Sequence, residues 1–438
     1  MENQMPENNQ FEGFSKLSRM ERFQRLKALG ALSDEDIAFL QEGAVNDMRL
    51  AESLIENAIG YFQLPLGVAG NFRIDGQDLV IPMAVEETSI IAALSKTAKW
   101  VRQCGEITTG MEGDCIIGQI QIAHVKNRLE LETRLQEHKD ELIAMVNSSI
   151  ASGMVKRQGG VKDIELRTVP YGNGELMAVI HVTMNPVDAM GANLLNQVLE
   201  YLKSPIEQLT QEKVNLCILS NLNDKKLTTA QVVIRDIEPE LGEKIALASE
   251  FAKQDPYRAA THNKGVLNGI DPVVIATGND WRAVEAGIHA YAVKQGQYRA
   301  ITEWSYRDGT LYGEFKAPVV VGIVGGVTTL HPIARMALRM MNIQSANQLS
   351  RIIAAVGLVQ NLGALKALCT VGISQGHMKL HLNNLILKTD ATEKEAPILK
   401  ARLEQFLLIN KHITEHEVIV ILNDIREALK NDEMESTR

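Results

Sequence analysis

The sequence predicts an α+β fold. A large mixed domain over 1–113 and 223–373 is interrupted by a ferredoxin-like small domain (β-α-β-β-α-β) over 114–222 and followed by a C-terminal helical flap over 374–438. Three observations carry that expectation. Between Cys115 and Ser220 the apolar periodicity alternates between about 2 and about 3.6 residues, in the order strand, helix, strand, strand, helix, strand. On both sides of that block, apolar stretches are broken by glycine, as in buried strands that feed helices. From Met378 onward the chain turns polar with helical spacing. At 438 residues and 45% hydrophobic content there is enough apolar side chain for more than one core.

The elements follow in order. Ser18 to Glu56 sets Leu26 with Leu29, then Ile37 with Leu40, at helical spacing among charges, which predicts short N-terminal helices. Gly60 to Gly76 breaks that pattern with Pro65 and four glycines. Ser89 to Arg102 reads as a buried helix, and Gly105 to Gly113 as a linker. In Cys115 to Val125, Ile120 and Ile122 oppose Gln119 and Gln121 as in a strand, and Lys126 to Ser149 is a charged amphipathic helix. Asp163 to Val169 and Glu175 to Met184 are strands joined by the turn-rich Pro170-Tyr171-Gly172-Asn173-Gly174, hence a hairpin. Asp188 to Leu202 reads as a helix, and Val214, Leu216 and Ile218 alternate in a closing strand, Val214 to Ser220. That unit is self-contained, so it reads as an insertion, and the larger domain resumes near Lys225. There Pro318 to Val327 resembles a buried strand with its turn, and the charged tail from Asp432 to Arg438 is expected to fray.

Charge and composition exclude several classes of function. The 45 Lys+Arg against 54 Asp+Glu give a net charge of -9, which argues against a nucleic-acid partner. Met1 to Asn9 has no apolar core and no later apolar run nears the roughly 20 residues of a membrane span, so no membrane partner and a cytoplasmic location are expected. Cys104, Cys115, Cys217 and Cys369 form no CxxC pair and read as small core residues. His412-Ile413-Thr414-Glu415-His416 matches the H-x-x-E-H zinc pattern. Thr414 and Glu417, however, form a capping box that starts a helix after His412, so the two histidines would not share a face. His377 and His381 have the same spacing without an evident third ligand. No metal is expected.

Four segments have the residue types for chemistry, and each has a plainer reading. Thr261-His262-Asn263-Lys264-Gly265 precedes Ala276-Thr277-Gly278-Asn279-Asp280-Trp281-Arg282, so Lys264 and Asp280 pair in a cleft, or Asp280 simply caps the helix it begins. Glu86-Glu87-Thr88-Ser89 supplies a general acid, or first-turn acids answering a helix dipole. Gly372 to His381 frees His377 to move, or His377 only packs. Asp188-Ala189-Met190-Gly191-Ala192-Asn193 exposes helix-start N–H groups suited to a pyrophosphate, or is only a helix start. Neither GxGxxG nor GxxxxGK[ST] occurs, so a nucleotide would be held in neither the Rossmann nor the P-loop manner.

Together these segments resemble the 3-hydroxy-3-methylglutaryl-CoA reductases from about Glu56 to His381, with Glu56-Asn57-Ala58-Ile59-Gly60 similar to that family's motif for the thioester substrate. Glu86-Glu87-Thr88-Ser89 and Gly278-Asn279-Asp280-Trp281-Arg282 resemble the shorter bacterial class. The resemblance implies that 3-hydroxy-3-methylglutaryl-CoA and mevalonate plus coenzyme A are interconverted with NADH or NADPH. It implies Lys264 at the oxyanion, Asp280 coupled to Lys264 and Glu87, Glu87 as acid for the carbonyl oxygen, and His377 protonating the coenzyme A thiolate. Glu56, Ser89, Asn221, Arg258, Asn268 and Gln360 are implied as substrate contacts, and Asp188, Met190, Gly191 and Asn193 as the cofactor site. It also implies a homodimer with active sites at the subunit interface. Between Ala144 and Val161 the chain has no acid but has Lys156 and Arg157, which points towards tolerance of NADPH. The rival readings are another acyl-CoA-acting enzyme on the same fold and a non-enzymatic helical scaffold.

Overall fold

The computed structural model describes residues 11–43, 45–172, 175–370, 372, 382, 385–410 and 413–435. The chain divides into two units, Met1–Glu86 with Ile91–Leu365, and Glu87–Ile90 with Lys366–Arg438. In order it forms α1 (Arg19–Ala28), α2 (Asp34–Gln41), α3 (Met48–Leu54), β1 (Leu66–Ile74), β2 (Gln77–Ala84), α4 (Ile90–Cys104) and β3 (Gly105–Glu112). Next come β4 (Ile116–Ile122), α5 (Arg128–Ser148), α6 (Ser152–Val155), β5 (Gly160–Tyr171), β6 (Glu175–Asn185), α7 (Ala192–Thr210) and β7 (Leu216–Leu219). They are followed by β8 (Leu227–Ile234), α8 (Pro239–Gln254), α9 (Pro256–Ala276), α10 (Trp281–Ala292), β9 (Thr302–Arg307) and β10 (Thr310–Ala317). The remainder is helical: α11 (Val327–Leu330), α12 (Pro332–Met340), α13 (Ala346–Cys369), α14 (Glu395–Asn410) and α15 (Glu415–Glu435).

Ser18 and Ser33 start α1 and α2 through capping boxes, and Phe23, Leu26 and Ile37 turn inward beside Val80 and Met336. Gly60 to Gly76 is more than a break in pattern. β1 and β2 make an antiparallel hairpin closed by Asp75 and Gly76, both at positive φ (49° and 78°). An Asp-Gly pair between apolar alternations is a strong hairpin signal, and here the surrounding glycines obscure it. Gly105 to Gly113, expected as a linker, contains strand β3, which pairs antiparallel with β8 in a sheet of order β3-β8-β10-β9.

The second four-stranded sheet has the order β5-β6-β4-β7 with every neighbouring pair antiparallel. It lies wholly within the first unit. Ile120, Ile122, Ile180 and Met184 meet Leu131, Val146, Leu195 and Leu199 from α5 and α7 in its apolar interior. Two expectations change here. Helix α7 begins at Ala192, not at Asp188, so Asp188 to Met190 form the loop that leads into it. In β7, Leu216 and Ile218 are 43% and 46% exposed, whereas Cys217 packs inward. The reason is register: Cys217 lies opposite the fully buried Ile120, and opposed residues share a face.

Pro318 to Val327 is buried over Val319, Val320 and Val321 but makes no ladder. Its backbone bonds to loops instead: Gly322 N–H donates to Asn279 Oδ1 (2.7 Å) and Ile323 N–H to the Asp188 carbonyl (2.9 Å). Helix α13 is long and apolar enough to cross a membrane, which the expectation of no such run missed. Its Leu349, Ile353, Val356 and Leu362 are fully buried, as in the core helix of a globular protein. In the second unit, α14 and α15 bury Leu399, Leu403, Val418 and Leu422 together. Thr414 and Glu417 form the expected capping box, with Thr414 N–H donating to Glu417 Oε2 (2.6 Å). His416 therefore sits inside α15, while His412 and His381 lie outside the described residues.

Candidate active site

Helix α9 begins at Asp255, whose side chain accepts from Tyr257 N–H (2.9 Å), and Pro256 occupies its first turn. One face is buried through His262, Asn263, Val266, Leu267 and Ile270. Lys264 and Asn268, four residues apart, share the opposite stripe, with Lys264 exposed and Asn268 half-buried. The buried face is fixed by hydrogen bonds. His262 Nε2 lies 2.5 Å from Thr302 Oγ1 and 3.2 Å from the Asn361 amide. Asn361 Oδ1 accepts from Trp304 Nε1 (2.8 Å) and from Thr302 Oγ1 (3.0 Å). Asn263 pins the strand approach, donating to Arg299 O (2.9 Å) and accepting from Ile301 N–H (3.0 Å). Burial, with the Arg258 charge in support, pushes the His262 imidazole down to about 3, so it stays neutral.

Across α9 lies α13, and the two helices meet through glycine. A Cβ at Gly269 would lie 2.8 Å from Gln360 Cβ, and one at Gly357 would lie 2.7 Å from Ile270. That close approach brings Gln360 to the turn of α9 that carries Asn268. Gln360 is 8% exposed, and its Oε1 is buried without a hydrogen-bond partner. A buried amide oxygen left unsatisfied costs stability, so it is a natural place for a ligand donor.

Asp280 caps α10, accepting from Arg282 N–H (3.0 Å) and Ala283 N–H (3.2 Å), so the plainer reading of this residue is present in the structure. Its neighbour Asn279 ties the cap to a second segment through Gly322 N–H, and Ile323 continues to Asp188. Gly322 lies against the Met190 backbone. Asp188 in turn accepts from Ala346 N–H at the start of α13 (3.0 Å). Asn279–Asp280, Gly322–Ile323 and Asp188–Met190 thus form one cluster of loops. Gly191 begins α7 at φ 94°, and a Cβ there would meet Ile116 at 2.6 Å and Pro186 at 2.7 Å. No side chain caps α7, and Asn193 in its first turn is exposed. Val187, just before Asp188, has φ 57°, a conformation that strains a β-branched residue.

The other expected residues are dispersed. Glu56 is exposed in the segment after α3, and Asn221 is exposed with its carbonyl 2.6 Å from where a Cβ on Gly287 of α10 would stand. Glu87 and Ser89 belong to the second unit. Ser89 has φ 78° and a buried hydroxyl with no partner. His377 lies outside the described residues. Among the described residues, no group of three or more His, Cys, Asp and Glu is placed to hold a metal. Of the cysteines only Cys115 is buried, its thiol pushed up to about 12 by burial and by Asp114. Cys104 is exposed, contrary to its reading as a core residue. Asn279, Asn361 and Gly322 were not singled out in the sequence. The Asn279-Asp280 pair before an apolar helix was the one available signal.

With this geometry in view, comparison with known proteins is decisive. The family model for hydroxymethylglutaryl-coenzyme A reductase matches residues 21–382. The chain belongs to that family. It is similar to a 3-hydroxy-3-methylglutaryl-coenzyme A reductase of Archaeoglobus fulgidus, 43% identical over 388 residues, which cover 87% of this chain and 88% of the relative. A probable reductase of Borreliella burgdorferi is 32% identical over 389 residues, covering 86% and 87%. Among solved structures it is similar to the class II reductase of Streptococcus pneumoniae bound to NADPH. That match has a TM-score of 0.79 and 38% identity, covering 82% of this chain and 100% of that one. A second structure of the Streptococcus pneumoniae enzyme covers 95% of this chain and 99% of its own, with a TM-score of 0.80 and 37% identity. As a family member the chain is an oxidoreductase, and Lys264, Asp280 and the Asp188 to Asn193 segment all fall inside the matched span.

Proposed function

We propose that the chain interconverts 3-hydroxy-3-methylglutaryl-CoA and mevalonate plus coenzyme A through the cluster of loops around Asp280 and Asp188. The observation that carries the reading is the hydrogen-bonded link from Asn279 through Gly322 and Ile323 to Asp188, within a chain of this family. Lys264 places a fixed cation where negative charge develops on the substrate oxygen. Glu87 supplies the proton to that oxygen, Asp280 orients Lys264, and His377 protonates the departing thiolate. Glu56, Ser89, Asn221, Arg258, Asn268 and Gln360 contact substrate. The buried unsatisfied oxygens of Gln360 and Ser89 are the features that most favour such contacts.

The residues at the start of α7 fit a nicotinamide dinucleotide. Gly191 leaves the backbone bare, the first turn has no side-chain cap, and Asn193 is exposed for hydrogen bonding. Asp188, Met190, Gly191 and Asn193 would hold it, and each molecule bound there would supply one hydride, so the two successive transfers of a full turnover take two cofactor molecules. Lys156 and Arg157, with no acid between Ala144 and Val161, favour acceptance of NADPH, as does the NADPH in the Streptococcus pneumoniae relative. On this reading 114–222, a split βαβ arrangement, acts as an inserted cofactor-binding small domain and 374–438 as a C-terminal flap. The chain acts in the cytoplasm as a homodimer. Exposure of Ile55 (58%), Ile59 (101%) and Phe62 (94%) beside Glu56 favours a partner subunit covering that segment.

The test is purified protein with 3-hydroxy-3-methylglutaryl-CoA and NADH or NADPH. Loss of nicotinamide absorbance is expected, and no loss with either cofactor overturns the proposal. The same assay run with other acyl-CoA thioesters separates the rival reading of a different acyl-CoA enzyme.

A further inference from the structure

Asp271 and Glu285 are two carboxyl groups that the proposed chemistry leaves unused. Asp271 lies seven residues after Lys264 and three after Asn268, so all three share one stripe of α9, about 10 Å from end to end at 1.5 Å per residue. Glu285 projects from α10 five residues after the Asp280 cap. Both positions lie seven residues from the turn at Gly278, one on each of two helices that touch. Their side chains lie within hydrogen-bond reach. Asp271 Oδ1 is nevertheless buried with no donor. Two carboxylates offer only acceptors, so a contact of this kind holds only if one of them carries a proton. Among the described residues, no cation contributes to the electrostatics of Asp271. The other groups nearby are Tyr298, which feels the Glu285 charge, and His289, one turn on from Glu285, whose Nδ1 lies 2.8 Å from the Tyr298 hydroxyl.

We propose that Asp271 and Glu285 share one proton across the α9–α10 contact, and that this acid–carboxylate pair is a positioning device. It holds the Lys264–Asn268 stripe in register with the α10 cap. Burial first, and the Glu285 charge second, push the Asp271 carboxyl up to about 8, so the pair keeps its proton through neutral pH. Loss of that proton leaves two facing anions. They repel the helices from each other and set a second negative charge one turn from Asn268, where an acidic acyl-CoA would bind. The inference rests on the proposed role of α9 in catalysis. Neither carboxyl touches the reacting atoms.

The test compares wild type, Asp271→Asn and Asp271→Ala by the pH profile of kcat/KM and by Tm against pH without substrate. Asparagine donates to Glu285 at every pH. D271N should therefore keep kcat/KM within about threefold of wild type at pH 7 and shift the alkaline limb upward by at least about one pH unit, while D271A loses about tenfold. The Tm readout has a defined sign. A carboxyl raised in the folded state stabilises fully below its unfolded value and loses that contribution as pH rises through the folded one. Wild-type Tm should thus fall between about pH 4 and 8, and D271N should flatten that slope. Superimposable limbs and slopes in wild type and D271N overturn the proposal. If the site reading is the one at fault, wild type oxidises no nicotinamide at any pH while the difference in Tm slope persists and still supports the shared proton.

Discussion

Sheet β5-β6-β4-β7 meets its helices through Ile120, Ile122, Ile180, Leu195 and Leu199 and through backbone bonds to Asn147 and Asn196, whereas sheet β3-β8-β10-β9, which also buries Val232, Leu311 and Phe315, adds side chain to side chain bonds with its helical backing. In the latter, Thr228 Oγ1 lies 2.6 Å from Ser350 Oγ, and Thr302 and Trp304 both donate to Asn361. Apolar contacts are non-directional, so in the first sheet the rotation of α5 and α7 is left to the few bonds at Asn147 and Asn196 near the ends of the contact. Hydrogen bonds are directional and costly to leave unmade, so the second sheet fixes how α9 and α13 are turned. The proposed catalytic lysine and the Gln360 amide are carried by those two helices. Positional accuracy is concentrated where the chemistry is proposed.

That contrast can be tested from its largest consequence downward. Lys264→Ala should lower kcat by about 10³-fold or more with an unchanged circular dichroism spectrum, since a fixed cation at an oxyanion is a large catalytic contribution. Normal turnover by a folded variant removes Lys264 from its role. Next, Asn361→Leu strands the Trp304 and Thr302 donors and should cost about 3 kcal/mol of stability together with about tenfold in kcat/KM. Ile180→Ala should cost a similar 2–5 kcal/mol, roughly, but leave kcat/KM within about twofold, because cavities in an apolar interior do not turn α9. Equal activity losses in the two variants, measured below both melting temperatures, would break the comparison.

The third consequence concerns acid. His262 is held down to about 3 in the folded protein, below its unfolded value. Its contribution to stability is therefore complete above about pH 6.5 and is lost as pH falls from there towards 3, at about 1.4 kcal/mol per pH unit. His262→Gln should flatten Tm against pH in that window, and an unchanged slope would show that the imidazole is not buried neutral. The smallest effect is expected at Gly191→Ala. The strained φ and the crowding by Ile116 and Pro186 should cost about 1–2 kcal/mol and raise KM for the nicotinamide cofactor more than they lower kcat.

The sequence shows its periodic parts and conceals its exceptions. The β4 to β7 block was legible because each strand and helix has a face that must be apolar, and those faces repeat at fixed intervals. Strand β3 was not, because Gly105 and Gly110 interrupt a Thr-rich run whose partner, β8, lies more than 100 residues away. In the proposed site, Lys264 and Asn268 reveal a shared stripe by spacing alone, and Asp280 announces itself as a cap. The association of Glu87, Lys264, Asp280 and His377 came from resemblance, since nothing local connects residues that distant in sequence. Asn361 and His262 were passed over because a buried polar residue in an apolar helix looks like noise until its partner, equally isolated on another element, is known.

Helix α13 connects two of these places. Its first N–H is held by the Asp188 carboxylate, and fourteen residues later it presents Gln360 where glycines let it cross α9. A hydrogen-bonded helix hardly stretches, so it acts as a strut of about 21 Å between the Asp188 to Met190 loop and the floor beneath Asn268. Any ligand that pulls on Asp188 must either leave that end cap intact or push the whole strut. The gauge between the two proposed binding regions is thus set by a count of residues, and a one-residue insertion within 346–360 should uncouple them even if every contacting side chain is kept.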